Sequence, residues 1–295
     1  MLYKVIKNKQ STILEITDSK NSLHAKIHLE QGASLQELTL NGHHLITSLE
    51  PLTYSTTYAS SILFPFANRV KDGIYEFNAK NFQLDTNQKE ENNALHGFIY
   101  NKTFQVIHYE ISDNDAKITL EYIEKKKHKG FPYTYKIQLE YTFSKNMVSL
   151  KFKVKNTSKK PFPFTLGWHP YFLSDDLHNS SLQFQSDKKL IIGDRNIGLQ
   201  IESIKPTETF EIQDKQLDDC WVLNSGDIKF ITPKYSLSIS SSEKTNFLQL
   251  YTPPKLNTIA IEPTTGVSNS FNNKIGLQVL QPEKWHEVTW YLKMN

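Results

Sequence analysis

Between Tyr133 and Lys155, apolar and polar side chains alternate with a period of two, pause at a short polar turn, and alternate again. Tyr135, Ile137, Leu139, Tyr141 and Phe143 interleave with Lys136, Gln138, Glu140 and Thr142. Beyond Ser144-Lys145-Asn146, the residues Val148, Leu150, Phe152 and Val154 interleave with Ser149, Lys151, Lys153 and Lys155. A strand turns successive side chains to opposite faces, so this pattern predicts a β-hairpin with one buried and one wetted face. Similar alternation recurs at Thr12–Thr17, His24–Leu29, Gly73–Leu84, Lys117–Ile123, Tyr235–Ser240 and Phe247–Tyr251. Asn41-Gly42 separates Leu38–Leu40 from His43–Ile46 and supplies the positive φ of a tight hairpin turn. No window of about 11 residues carries a 3.6-residue period. The chain therefore reads as all-β, an antiparallel sandwich or barrel.

Composition narrows the function. The 34 basic and 31 acidic residues leave a charge of +3, too small to predict a nucleic-acid partner or a membrane surface. No apolar run reaches the ~20 residues of a membrane helix. The opening MLYKVIKNKQ lacks the apolar block of a secretory leader, so a soluble, cytoplasmic protein is expected. One cysteine, Cys220, excludes an intrachain disulfide and a Cys-rich zinc site. The histidines show no metal-ligand spacing, so neither metal nor cofactor is expected. The Lys125-Lys126-Lys127-His128-Lys129 run follows a strand and precedes Gly130, which suits a solvated loop. Only two of the 34 basic residues are arginines, Arg69 and Arg195.

Four stretches break the alternation and concentrate unusual chemistry: Leu63–Arg69, Ala94–Phe98, Gly167–Phe172 and Ile261–Gly266. A fifth, Leu217–Trp221, sets Asp218 and Asp219 beside an aromatic residue. His169 precedes Pro170 and Glu262 precedes Pro263, which holds both ionisable residues on stiffened, extended backbone. His96 precedes Gly97, where the chain can turn sharply or admit a close neighbour. Taken singly, each stretch has an ordinary structural explanation: a buried histidine with a partner, a glutamate emerging from a strand, or a tryptophan in the core.

Taken in order, the motifs Asn68-Arg69, Leu95-His96-Gly97, His169-Pro170-Tyr171-Phe172 and Glu262-Pro263-Thr264-Thr265-Gly266 resemble those of the aldose 1-epimerase family, the galactose mutarotase-like proteins. The resemblance covers roughly Ser60 to Gln281. It implies a large antiparallel β-sandwich, the galactose mutarotase-like supersandwich, with residues 1–295 as one such domain and a sugar bound in a cleft on one sheet. It implies Glu262 as general base, His169 as general acid and His96 as a second acid or hydrogen-bond donor. Arg69, Asn68 and Asp218 would hold sugar hydroxyls, with Asp218 preferred over Asp219 because it fits the family's Asp-x-x-aromatic pattern. Trp168 and Trp221 (or Phe64) would wall the sugar's C–H face. Phe98 after His96-Gly97, and Trp168 and Pro170 flanking His169, depart from the best-known sugar mutarotases and leave the particular sugar open.

The activity so implied, interconversion of α- and β-aldohexose anomers, needs a base at the C1 hydroxyl and an acid at the ring oxygen, held on opposite sides of one acetal carbon. Free glutamate titrates near ~4.3 and histidine near ~6.5. Mutual attraction predicts an ionised Glu262 beside a protonated His169, and hence a bell-shaped pH profile. The expected partner is a small sugar, with a monomer or homodimer as the assembly. Two rivals remain: a hexose-6-phosphate 1-epimerase, against which the scarcity of arginine counts, and a non-catalytic carbohydrate-binding protein of the same fold. A glycoside-cleaving enzyme would want two carboxylates at the bond, where the motifs offer one carboxylate and histidines.

Overall fold

The computed structural model describes residues 3–7, 12–244 and 246–295. Strands make up most of it. The α-helix among the described residues is confined to two four-residue turns, Tyr54–Thr57 and Ser270–Asn273, neither able to cross a membrane. The hairpin expected from the alternation forms in full. Tyr135–Ser144 pairs residue for residue with Met147–Asn156 and buries Tyr135, Ile137, Leu139, Tyr141 and Phe143.

The pairings form two antiparallel runs. One passes from Gln105–Ile111 through Asp115–Glu124, Tyr135–Ser144, Met147–Asn156, Trp285–Met294, Ser236–Ser241 and Ile228–Ile231 to Ser181–Ile192. The other passes from Tyr3–Lys7 through Ile13–Asp18, Leu23–His28, Ser34–Leu40, His43–Ile46, Tyr171–Leu173, Thr258–Thr264, Phe247–Tyr251 and Asp218–Val222. It too ends on Ser181–Ile192, which belongs to both runs. A cluster of buried apolar side chains extends from Tyr3 to Met294 and fills the interior. This is the expected all-β, antiparallel architecture.

One predicted strand differs. Gly73–Leu84 is a hairpin of its own, Ile74–Phe77 against Lys80–Gln83, turned by Asn78 and Ala79 at φ 50° and 55°. A two-residue turn preserves the parity of the alternation, so the apolar count runs through it undisturbed. Asn41 and Gly42, at φ 50° and 78°, make the tight turn their sequence predicts.

Thr258–Thr264 positions the chemistry. All seven of its residues are buried, so both of its faces are covered. Ile259 and Ile261 enter the main core, whereas Ala260 packs outward with Leu49, Ala59 and Tyr171. By the strand's period of two, Glu262 shares the outward face with Ala260. A second fixture is Gly97, at φ 72° and bridged to Phe64. A Cβ there would lie 2.1 Å from the Phe64 carbonyl oxygen. Only glycine satisfies both constraints, and the close approach fixes the neighbouring His96. Gly97→Ala should cost about 2–4 kcal/mol of unfolding free energy, measured by urea titration. An unchanged midpoint would show that this contact is not maintained.

Candidate active site

Four neighbouring strands lay out the floor of a cleft by cross-strand register. Asp218 opposes Tyr251, and Tyr251 opposes Ala260, which in turn opposes Tyr171. One pleat further along, Gln249 opposes Glu262. Directly opposed residues share a face, so Asp218, Tyr251, Tyr171, Gln249 and Glu262 project together. Gln249 Nε2 donates to Asp218 Oδ1 at 2.7 Å and ties the two rows.

His169 comes from the bend between Gly167–Trp168 and Tyr171–Leu173. Its backbone is pinned to the adjoining segment by His169 N to Ser61 O at 3.0 Å and Ser60 N to His169 O at 2.8 Å. Alternation turns His169 and Tyr171 to the cleft, with their rings 4.9 Å apart, and Trp168 and Phe172 to the core. His169 Nε2 lies 3.4 Å from Glu262 Oε1. Both side chains are buried, at 6% and 4% exposure. The histidine and the carboxylate thus sit side by side, rather than on opposite sides of an acetal carbon as expected. That spacing suits two oxygens carried by one carbon.

His96 holds φ 61° and donates its backbone N–H to Asn68 O, itself on a residue at φ 61°. Its ring meets His169 edge-on at 5.3 Å and Tyr58 at 4.9 Å. The Nδ1 atoms of His96 and His169 are buried without a hydrogen-bond partner among the described residues. Arg69 spans the rim. Its Nη1 donates to Asn68 Oδ1 at 3.0 Å, its Nη2 to Asp218 Oδ2 at 3.4 Å, and its Nε to Glu91 Oε2 at 3.2 Å and Gln88 Oε1 at 3.3 Å. A guanidinium has five N–H bonds, so one remains on each terminal nitrogen. The cleft encloses about 170 Å³. That is below the ~300 Å³ at which pockets for drug-sized ligands begin, and it restricts the occupant to something small.

Burial dominates the protonation of the floor. It pushes the Glu262 carboxyl well above the usual range, with Asp218 adding to the rise and Arg69 opposing it. It lowers His169 to about 4 and takes His96 well below its ordinary value, where His169 and Arg69 add to the fall. Asp218 is raised by burial as well, against the pull of Arg69. Burial therefore favours a neutral carboxylic acid beside a neutral imidazole, in place of the ion pair expected from the sequence. Taking both charges out of water costs more than their attraction returns. The pair still carries one proton in either arrangement.

The structure brings together Glu262, His169, His96, Arg69, Asn68 and Asp218 around one cleft. It places Trp168 and Trp221 elsewhere. Trp168 is 1% exposed and stacks on Trp290 at 6.2 Å in the core. Trp221 lies three residues along an extended strand from Asp218, hence on its other face, packed against Phe184 and Phe210. Phe64 is fully buried among aromatic rings. The cleft's walls are instead Tyr58, Tyr171, Tyr251 and Leu95. Asp219 turns away to Lys189 at 2.5 Å. Tyr58, Gln249 and Tyr251 were missed because no local motif marks them; only the cross-strand register would have found Gln249 and Tyr251. Among the described residues, no group of three or more His, Cys, Asp or Glu side chains is placed to hold a metal ion.

A β-sandwich presenting a buried acid–base pair in a small polar cleft defines the structural class, and comparison with known proteins agrees. The family model described as aldose 1-epimerase matches residues 13–292, and the chain belongs to that family. The uncharacterized protein YihR of Escherichia coli (strain K12) is 25% identical over 287 residues, covering 90% of this chain and 88% of that protein. Among solved structures, a galactose mutarotase-like protein from Clostridium acetobutylicum superposes with a TM-score of 0.87 at 20% identity, covering 99% of this chain and 98% of the other. A galactose 1-epimerase from Lactobacillus acidophilus NCFM gives 0.82 at 19% identity, covering 100% and 99%. These two likenesses establish the fold.

Glu262→Gln provides a test of the burial argument. The folded-state pKa of Glu262 lies above its unfolded value, so the carboxyl destabilises the fold increasingly as pH rises toward and through the folded value. The amide variant should therefore gain thermal stability over the wild type as pH rises from 5 to about 9. A stability difference that stays flat across that range would show that Glu262 is ordinarily hydrated.

Proposed function

We propose that this protein is an aldose 1-epimerase that interconverts the α- and β-anomers of a free aldohexose such as galactose or glucose. The observation that carries this reading is the Glu262–His169 contact of 3.4 Å on the floor of a cleft of monosaccharide scale. Ring opening needs one base and one acid at the two oxygens of C1. Glu262 takes the proton of the anomeric hydroxyl while His169 delivers one to the ring oxygen. The aldehyde rotates, the ring closes on its other face, and the two groups return their protons in reverse. The anomeric O–H, donating to Glu262, offsets the carboxylate's lost hydration and draws the shared proton onto His169 as the sugar seats. Each positioned transfer contributes ~10²–10⁴-fold. The free pair of Arg69 N–H bonds fits vicinal hydroxyls, Asp218 accepts from another, and neutral His96 offers one donor and one acceptor. Tyrosine rings supply the apolar surface that C–H faces require.

The phosphorylated-sugar alternative fits less well. Arg69 is the single arginine or lysine among the described residues lining the cleft, and two carboxylates, Asp218 and Glu91, already engage it. A dianionic phosphate would find no uncommitted cation there. A purely binding role would leave the buried acid–base pair without a use.

Polarimetry of freshly dissolved α-galactose and α-glucose, with glucose 6-phosphate in parallel, tests the assignment. Glu262→Gln and His169→Asn should each lower kcat by at least ~10²-fold while remaining folded. Undiminished turnover in Glu262→Gln would refute the base.

The active state holds one proton on the pair, which fixes the pH dependence. On the acid side activity should fall near pH 4, where His169 gains a proton while Glu262 is already protonated. On the alkaline side it should fall as pH passes the raised Glu262 value and the last proton leaves. A kcat/KM profile that follows a single ordinary histidine near ~6.5 would contradict this proton count.

A further inference from the structure

Only two of the chain's 34 basic residues are arginines, and both converge on one loop residue, Glu91. Arg69 Nε donates to Glu91 Oε2 at 3.2 Å. Arg195 Nη1 donates to the Glu91 backbone carbonyl at 3.1 Å and is itself anchored by Asp72 Oδ1 at 2.9 Å. Asn196 Nδ2 donates to Glu91 Oε1 at 2.9 Å, and Asn93 Nδ2 to Glu91 Oε2 at 3.3 Å. Arg195 and Asn196 both adopt left-handed backbone at φ 57°, a conformation that the surrounding contacts must hold in place. Neither Arg195 nor Glu91 lines the cleft.

We infer that Glu91 is the positioning residue of the sugar site: it locks the inner edge of the Arg69 guanidinium, so that the outer edge presents two fixed N–H donors to vicinal hydroxyls. Arg69 has four rotatable side-chain bonds, and an unanchored guanidinium loses that freedom on each binding event. Four groups hold it before the sugar arrives: Asn68 on Nη1, Asp218 on Nη2, and Glu91 and Gln88 sharing Nε–H. Of these, Asn68, Asp218 and Gln88 also face the cleft and can turn to the ligand. Glu91 is outside it, and its carboxylate is fixed on both oxygens by Asn93 and Asn196. Lysine at position 69 has no fork for Glu91 to orient, which accounts for arginine here in a chain that otherwise uses lysine. At position 195 the guanidinium meets both Asp72 oxygens and the Glu91 carbonyl from one planar group.

This inference rests on the sugar reading, and two measurements separate them. With two arginines in the chain, a ¹⁵N spectrum holds two arginine Nε–H signals, assignable with Arg69→Lys. The Arg69 signal should be slowly exchanging in the wild type and should exchange markedly faster in Glu91→Ala, where Gln88 alone remains on Nε, whatever the ligand. In mutarotation assays, Glu91→Ala should raise KM roughly tenfold with little change in kcat, and Glu91→Gln should recover most of that loss. A loop that merely supports the fold would add its loss in any background, so the decisive comparison is a double-mutant cycle. In Arg69→Ala protein, Glu91→Ala should change KM no further. An additive loss, or an unchanged Arg69 signal in Glu91→Ala, overturns the positioning role. A wild type that leaves every sugar's mutarotation unaccelerated, with Glu91→Ala still releasing the Arg69 signal, overturns the epimerase reading and leaves Glu91 only as the guanidinium's anchor.

Discussion

The site depends on one costly arrangement, a carboxyl and an imidazole side by side in a space that water scarcely reaches. Neither Glu262 nor His169 exceeds 6% exposure, and each is driven toward its neutral form. A fold retains such a pair only where its surroundings are too well determined to let either group escape to solvent. Here they are. Glu262 stands on a strand buried along its whole length, and His169 is pinned by backbone hydrogen bonds on both its N–H and its carbonyl. The large aromatic core beneath supplies the free energy that tolerates the defect.

Much of this was legible in the sequence. The period-two pattern required strands, and the breaks in that pattern contained Asn68, Arg69, His96, His169, Asp218 and Glu262, which the fold gathers around one cleft. The same alternation could have excluded Trp168, since it adjoins His169 in extended chain and must point the other way. Trp221 fails by the same parity relative to Asp218. What the sequence could not show was contact across strands. Gln249 and Tyr251 sit in a strand that reads as ordinary alternation and acquire meaning only opposite Glu262 and Ala260. Nor could it weigh desolvation against attraction, because burial is set by the whole molecule. The ion pair inferred from charge alone gives way to a neutral pair once both groups are enclosed.

The scarcity of arginine, at first only a compositional oddity, acquires a structural account. Lysine serves wherever a diffuse positive charge on the surface suffices. The two guanidiniums occur where several acceptors must be met at fixed angles, and they meet at the same loop. Arg69 thereby links the cleft rim to Glu91, and Arg195 links Glu91 to Asp72, so the rim is braced from outside the cleft.

The strand Ser181–Ile192 pairs with Gly198–Glu211 along one edge, and along the other it hydrogen-bonds to both runs, to Ile228–Ile231 through Ser181–Gln183 and to Asp218–Val222 through Lys188 and Lys189. It acts as a seam. Two runs sewn together at one strand form a single fabric. Asp218 lies on a strand stitched directly to that seam, which ties one wall of the cleft into the continuous sheet.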